Sequence, residues 1–529
     1  MQLFNSAPTA ALWGLPPSSA QAQDRNVDAA AHVAASNERA FANWHVSHGS
    51  PDADLNPDLD TMRARVRDLD RNHGVAGGAI ATLENNVVGS GPRLSSTPDY
   101  RALGKSKEWE GEFSRQVESA FRSWWETRDC DAHGHLSGGL LTRQVFHGAL
   151  INGSGLVLPL WVPPERGRKW ALQLQAVESD RLSNPQDAAD TDKLRGGVEI
   201  NAIGRPVAYH IRTSHPGDRY YLWGQHDQFR WERIAAETEW GRKRVLHVFY
   251  PDRAGQNRGK PVLASVVAQF RMLDSYQRTE LEAAIMNAVI AAAIETPLDG
   301  ETAGDLFGVK DPLDKNTQIQ LHEKYKSEIT RQMKGAMFLN LPVGSKLNAW
   351  SPGRPSEQFG PFVESVIRNI AASLNLPYEL LMKDFSKTNY SSARAAILEA
   401  GRMFATHREW LKVTFLDEVY ALFLEEAISK RVVDMVTLKE YYANRYAYAK
   451  AAWIWPGRGW VDPVKEAEGA RRRIKNKVST LQRECGEQGL DYEEVLEQLA
   501  KEKKIVQRLE LEDEAPTPAT EQNKEKVAA

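Results

Sequence analysis

Cys130, Asp131, His133 and His135 place a thiolate, a carboxylate and two imidazoles within six positions, and all four are competent ligands for a transition metal. A His-x-His pair around a glycine reads better as a solvated turn, so no metal is expected here. Gly255-Gln256-Asn257-Arg258-Gly259-Lys260 looks at first like a phosphate-binding loop. That loop needs four residues between its glycines, and a Ser or Thr after the lysine to hold Mg²⁺. Here there are three, followed by Pro261, and a strand-to-helix turn is the better reading. Asp52, Asp54 and Asn56 imitate the opening of a calcium loop. Pro57 replaces the glycine of its sharp turn, however, and Arg63 stands where the bidentate glutamate belongs. The chain has no Gly-x-Ser-x-Gly elbow, no His-Glu-x-x-His pair and no Gly-x-Gly-x-x-Gly after a strand. The expectation is a protein without catalysis and without a cofactor.

Two groups of cations remain. Arg471, Arg472, Arg473, Lys475 and Lys477 lie on a charged helical stretch and read first as a solvated face. Lys383, Lys387 and Arg394 bracket a polar loop at 382–391 that also holds Asn389 and Tyr390. In one chain that is an ordinary exposed loop; in a ring its charge is multiplied by the copy number. A third feature is apolar. Ala283–Ile294 is apolar nearly all round, and such a helix must be covered on every side. A contact with a second subunit through Ile285, Val289 and Ile294 would cover it.

The elements that carry these residues follow from periodicity. Met62, Val66, Leu69, Ile80 and Leu83 predict helix over Asp58–Asn86, Trp109–Thr127 a second, and Thr142–Ile151 a third. Between 155 and 250 short β-prone runs take over: Leu156–Val162, Ala171–Val177, Val198–Ile200, Val207–Ile211, Tyr220–Trp223 and Val245–Tyr250. The middle two form a hairpin with Gly204 in its turn. A single stripe then predicts helix over Pro261–Ala293, roughly 50 Å long at 1.5 Å per residue. Ala336–Leu341 reads as a strand and Phe359–Leu374 as a helix. A long helix capped by Ser391 or Ser392 runs to about Ile428, and Asp462–Glu512 is charged helix. The fold class is α+β, mainly helical.

The chain has 529 residues, 42% hydrophobic and 26% charged, with 67 Lys plus Arg against 70 Asp plus Glu. That is globular, and long enough for several domains. A net charge of −3 excludes a protein that grips nucleic acid over its whole surface. Two cysteines far apart offer no disulfide framework and suit a reducing compartment. The apolar run is too short to span a bilayer, and Met1–Gln23 has no basic residue ahead of its apolar ones, so neither a membrane partner nor a secretory signal is expected.

Four segments resemble those of lambda-type portal proteins, the head-tail connectors of tailed bacteriophages, in that family's order. They are Arg65–Gly91 (RVRDLDRNHGVAGGAIATLENNVVGSG), His247–Ser265 (HVFYPDRAGQNRGKPVLAS), Asn389–Glu399 (NYSSARAAILE) and Trp455–Glu468 (WPGRGWVDPVKEAE), the last continued by Cys485–Leu499. The resemblance implies a ring, usually of twelve copies, at one capsid vertex of the virion, assembled in the bacterial host cytoplasm. Double-stranded DNA would be driven through its channel by terminase and later ejected. Capsid, scaffold and head-completion or tail proteins would be its other partners.

On this resemblance, 1–60 is a partly disordered leader, 61–258 a wing, 259–294 the first stem helix and 295–355 the clip. The second stem helix is 356–381, the channel-facing tunnel loop 382–391, and a long wing helix with its sequel 392–459. Residues 460–512 form a helical crown and 513–529 a disordered tail. Lys383, Lys387, Asn389, Tyr390 and Arg394 become the residues expected to face DNA. A near-neutral chain suits a conduit, since many simultaneous phosphate contacts would trap DNA, and no base-edge readout is required. Two other readings stay open: a head-tail adaptor or scaffold without DNA passage, and the packaging motor itself, which the defective phosphate loop disfavours.

Overall fold

A computed structural model describes residues 46, 48–163, 167–218, 230–289, 292–295, 338–341, 358–457, 459 and 462–509. The expected leader up to residue 45, most of the clip, the strand expected at Tyr220–Trp223 and the tail fall outside them.

Helix α1 (Pro51–Asn72) opens on Ser50, whose Oγ accepts from the Ala53 amide at 3.3 Å, with Pro51 at the first helical position and Asp52 and Asp54 in the first turn. Its start lies inside the stretch expected to be leader. Leu55, Leu59, Val66 and Leu69 face inward. The single helix expected over Asp58–Asn86 is two: the chain leaves helical geometry at His73, whose ring caps α2 (Gly74–Val87) by accepting from Ala76 N. A histidine side chain does here what Ser or Asp usually does, which is why the break is silent in the periodicity. Strand β1 (Arg93–Ser96) follows, then α3 (Lys107–Trp125) and α4 (Gly138–Asn152).

Strands β2 (Ser154–Trp161), β3 (Leu172–Val177) and β8 (Leu246–Phe249) make a three-stranded antiparallel sheet in the order β3-β2-β8. Strands β4 (Leu194–Arg195), β5 (Val198–Ile200), β6 (Pro206–Arg212) and β7 (Trp231–Ala235) make a second sheet in sequence order. The β5–β6 hairpin is the expected one, and Gly204 sits in its turn at φ +81°, a conformation that favours glycine. Leu156, Leu158, Val177, Val198, Tyr209 and Ile211 form a small core of these strands.

Helix α5 spans Val267–Val289. Pro261 opens a series of turns, not the helix, and at the other end the chain passes into strand β9 (Ala292–Glu295), which pairs in parallel with β10 (Phe338–Leu341). The expected 261–293 helix is thus shortened at both ends, to about 35 Å. Then come α6 (Phe359–Ser373), α7 (Tyr378–Met382) and α8 (Tyr390–Leu411). A π-helical segment, Lys412–Leu416, joins α8 to α9 (Asp417–Ser429). Helices α10 (Leu438–Ala443) and α11 (Arg445–Tyr448) lead to β11 (Ala451–Ile454), paired antiparallel with β1.

The main core centres on α9, where every residue from Val419 to Leu424 is buried. Phe423 stacks on Trp124 at 5.0 Å and meets Trp170 at 4.6 Å and Phe121 edge-on at 5.2 Å. Truncating Phe423 to alanine would cost about 3–5 kcal/mol. The last helices, α12 (Pro463–Lys475), α13 (Leu481–Glu487) and α14 (Tyr492–Arg508), bury no residue. Glu494 ties α14 to the rest: its carboxylate accepts from Arg93 at 2.8 Å and Arg122 at 2.5 Å. No described helix is long and apolar enough to cross a membrane.

Candidate functional site

Helices α5 and α6 present the polar loop and the apolar helix end. Phe270 and Leu273 of α5 are buried, as are Ile367 and Ile370 of α6. Farther along, Tyr276 packs on Phe359 and Phe362, with ring centres 5.5 and 5.1 Å apart. Beyond that contact the α5 stripe is bare, with Leu281 62% and Ile285 53% exposed. The expected subunit-contact residues therefore divide. Ile285 stands open on α5, and Val289 is the last residue of that helix. Ile294 lies on strand β9 opposite Asn340, so it does not continue the helical stripe; an apolar run of alanines and isoleucines does not tell helix from strand by itself.

Asn375 and Lys383, both at positive φ, bracket α7. Lys383 terminates it in the left-handed conformation and is exposed. Asp384 Oδ1 accepts from Ser386 N at 3.0 Å and Ser386 Oγ at 2.6 Å, and the Ser386 hydroxyl and amide hold that carboxyl below its ordinary range. Lys387 reaches back to Glu364 on α6, Nζ to Oε2 2.9 Å, while Arg368 holds the other oxygen at 2.8 Å. Arg368 first, then Lys387, depresses the Glu364 carboxyl, and the Lys387 ammonium is raised by the same bond.

Asn389, expected to face DNA, has its carbonyl oxygen engaged as the α8 cap, accepting from Ser392 N at 2.8 Å and Ser391 Oγ at 2.9 Å. The cap is therefore two residues earlier than the first of the serines expected to provide it. Tyr390 opens α8, and Arg394 is exposed on its first turns. Among the described residues Lys383 and Arg394 carry no ion pair, so they, and not Lys387, are the loop's uncommitted charges. Glu364 is the residue that sequence reasoning missed, because its partner is 23 positions away.

The other chemical motifs resolve into scaffolding. The Asp131 carboxylate accepts the amides of His133, His135 and Leu136 at 3.0, 2.8 and 3.0 Å, and burial pushes the Cys130 thiol up to about 12. Among the described residues no cluster of three His, Cys, Asp or Glu could hold a metal. In the glycine-lysine stretch, Asn257 donates twice to buried Asp52, N to Oδ1 2.8 Å and Nδ2 to Oδ2 2.7 Å. A Cβ on Gly259 would meet the Gly153 carbonyl at 1.8 Å, so the backbones touch where a phosphate loop would be open. In the basic run, Arg472 pairs with Glu468 and Arg473 forks onto Glu484 at 2.9 and 2.6 Å, holding α12 to α13. The Arg473 fork drives the Glu484 carboxyl down to about 2.

Residues 37–408 match the family described as phage portal protein, lambda family. The chain is 33% identical over 467 residues to the portal protein of Escherichia phage N15, covering 87% of each. To portal protein B of Escherichia phage lambda it is 32% identical over 472 residues, covering 87% of this chain and 86% of the relative. Among solved structures it is similar to a chain in the virion of a native gene transfer agent particle (TM-score 0.38, 14% identity, 82% of this chain and 93% of that one). A chain in the neck of an empty particle of the same kind gives a TM-score of 0.39 at 13% identity, covering 81% and 93%. A match of this identity along nearly the whole of both chains goes well beyond the four shared segments, and the chain belongs to the lambda family of phage portal proteins.

Proposed function

We propose that the chain is the repeating subunit of a portal ring, probed below as a closed assembly with an open bore, set at one vertex of a phage head. Double-stranded DNA passes through it inward during packaging, driven by a separate terminase, and outward at ejection. Head-completion or tail proteins seat on it, and capsid and scaffold proteins surround it. The observation that carries this reading is the identity of 33% spanning 87% of both chains with a portal protein. The role is structural, with no catalytic step.

In this reading α1–α4 and the two sheets form the wing, α5 and α6 the stem, 295–355 the clip and α12–α14 the crown. The bare face of α5 at Leu281 and Ile285 packs on the neighbouring copy. The 383–389 loop lines the channel, where Lys383 and Arg394 meet phosphates transiently. Contacts of this kind are non-specific and weak one at a time, which suits sliding. Electron microscopy of the purified protein tests the proposal: a ring with a bore wide enough for a double helix is expected. A monomer, or a closed disc that excludes DNA, would overturn it, and the closed disc would favour an adaptor.

A further inference from the structure

Two arginines are almost completely enclosed, Arg63 on α1 and Arg258 in the segment between β8 and α5, each 2% exposed. Burying a guanidinium is costly unless a counter-charge accompanies it. Arg258 has no carboxylate partner among the described residues. It donates Nη1 to the carbonyls of Leu182 and Gly196 at 2.6 and 2.5 Å, and Nη2 to that of Ser179 at 3.1 Å. Carbonyls satisfy hydrogen bonds without neutralising charge. Arg63 gives Nε to the Asn152 carbonyl at 2.9 Å, and its one carboxylate, Asp60 at 3.4 Å, stands 91% in solvent. The nearby Asp180 is already taken by Arg67.

Among the described residues each arginine also keeps one buried nitrogen with no partner, Nη2 of Arg63 and Nε of Arg258, and a third such atom is Nε2 of His247. These three residues share a neighbourhood. Arg63 holds Asn152, while Ser179, which Arg258 holds, hydrogen-bonds the Ser154 carbonyl. His247 lies opposite Leu156 in the β2–β8 ladder, two residues farther along the same strand. The arginines' charges, after burial itself, push the His247 imidazolium down, and Arg63 likewise opposes the charge of Arg258.

We propose that Arg63, Arg258 and His247 enclose a structural site for a small monovalent anion of the chloride class, which ties α1 to the sheet strands and to the 252–260 segment. Two guanidinium N–H groups and one imidazole nitrogen supply the donors, and the anion supplies a counter-charge at those atoms, beyond the attraction that Asp60, Asp180 and Asp190 already exert on the arginines.

The test uses the full chain in its native assembly. Thermal unfolding is followed in sodium chloride and in sodium gluconate at equal ionic strength, for wild type and for His247→Phe, which keeps the ring and removes its nitrogens. A saturable rise of about 2 °C with chloride is expected for wild type, and its loss in the variant. Equal midpoints in both salts, or an undiminished chloride rise in the variant, would overturn the proposal. Should the variant fail to fold, bromide-soaked crystals of wild type decide. An anomalous peak among the three nitrogens supports the site, and water density without such a peak refutes it.

Discussion

Ile285→Glu is the sharpest test of how the subunits meet. The side chain is 53% exposed in the single chain, so about half of its apolar surface is left for a neighbour to cover. Full burial of an isoleucine is worth roughly 1.5–3 kcal/mol, and half of that leaves about 0.8–1.5 kcal/mol at each subunit contact. The glutamate removes that gain and adds the desolvation of a carboxylate, several kcal/mol when no cation accompanies it. A closed ring pays this at every contact, so the assembled fraction should fall by orders of magnitude at micromolar subunit. Native mass spectrometry or sedimentation velocity reads the result directly. Ile203→Glu, at a hairpin tip 85% exposed, is the control and should assemble normally. An intact ring from Ile285→Glu would show that this face of α5 packs on nothing.

Charge reversal of Lys383 together with Arg394 should lower the yield of packaged DNA while leaving the ring unchanged; Lys387→Gln should do less, since its charge is already committed to Glu364. Packaged DNA protected from nuclease measures both, and equal yields throughout would remove the loop from the channel. Glu426→Ala should destabilise the subunit by about 2–6 kcal/mol, because its buried carboxylate accepts the Ala171 and Leu172 amides at 2.7 and 2.8 Å and each orphaned amide costs about 1–3 kcal/mol. Denaturant midpoints check this, and a loss under 1 kcal/mol contradicts it. His147 Nδ1 lies 2.6 Å from Glu84 Oε1, and that hydrogen bond raises the imidazolium above its ordinary value. Burial alone would raise the Glu84 carboxyl, but His147 and Arg143 outweigh it and leave it lowered. The histidine's contribution is therefore complete below its unfolded value near 6.5 and lost as pH rises through the raised one; the glutamate's is present above about 4.5 and lost as pH falls through the lowered one. His147→Gln should flatten the loss of stability above neutrality, and an unchanged pH profile would refute the pairing.

What could be read in advance was local. Helices α3, α6 and α8 announce themselves by apolar spacing, and the β5–β6 hairpin by its glycine turn. The limits of α5 were illegible because Ala283–Ile294 suits a helix and a strand equally, and because Pro261 marks a turn as readily as a helix start. The loop's cations were legible as a group, but not which are free, since the Lys387–Glu364 pair joins distant segments. Arg258 falls in a glycine-rich stretch that reads only as a strand-to-helix turn. Its burial depends on three carbonyls from two segments, Ser179 and Leu182 of one turn and Gly196 of another, a convergence that no spacing rule contains.

The π-helical turn at Lys412–Leu416 has a geometric consequence. An α-helix advances 100° per residue, and a π turn absorbs one extra residue within an otherwise continuous helix. The bulge therefore takes up that residue locally and keeps α8, whose far end carries Asn389 and Arg394, in phase with α9, anchored in the aromatic core. Deleting one residue there should restore plain α-helix and leave the loop's cations where they are, whereas deleting one from the regular part of α8 would turn its outer half by about 100° and aim them elsewhere.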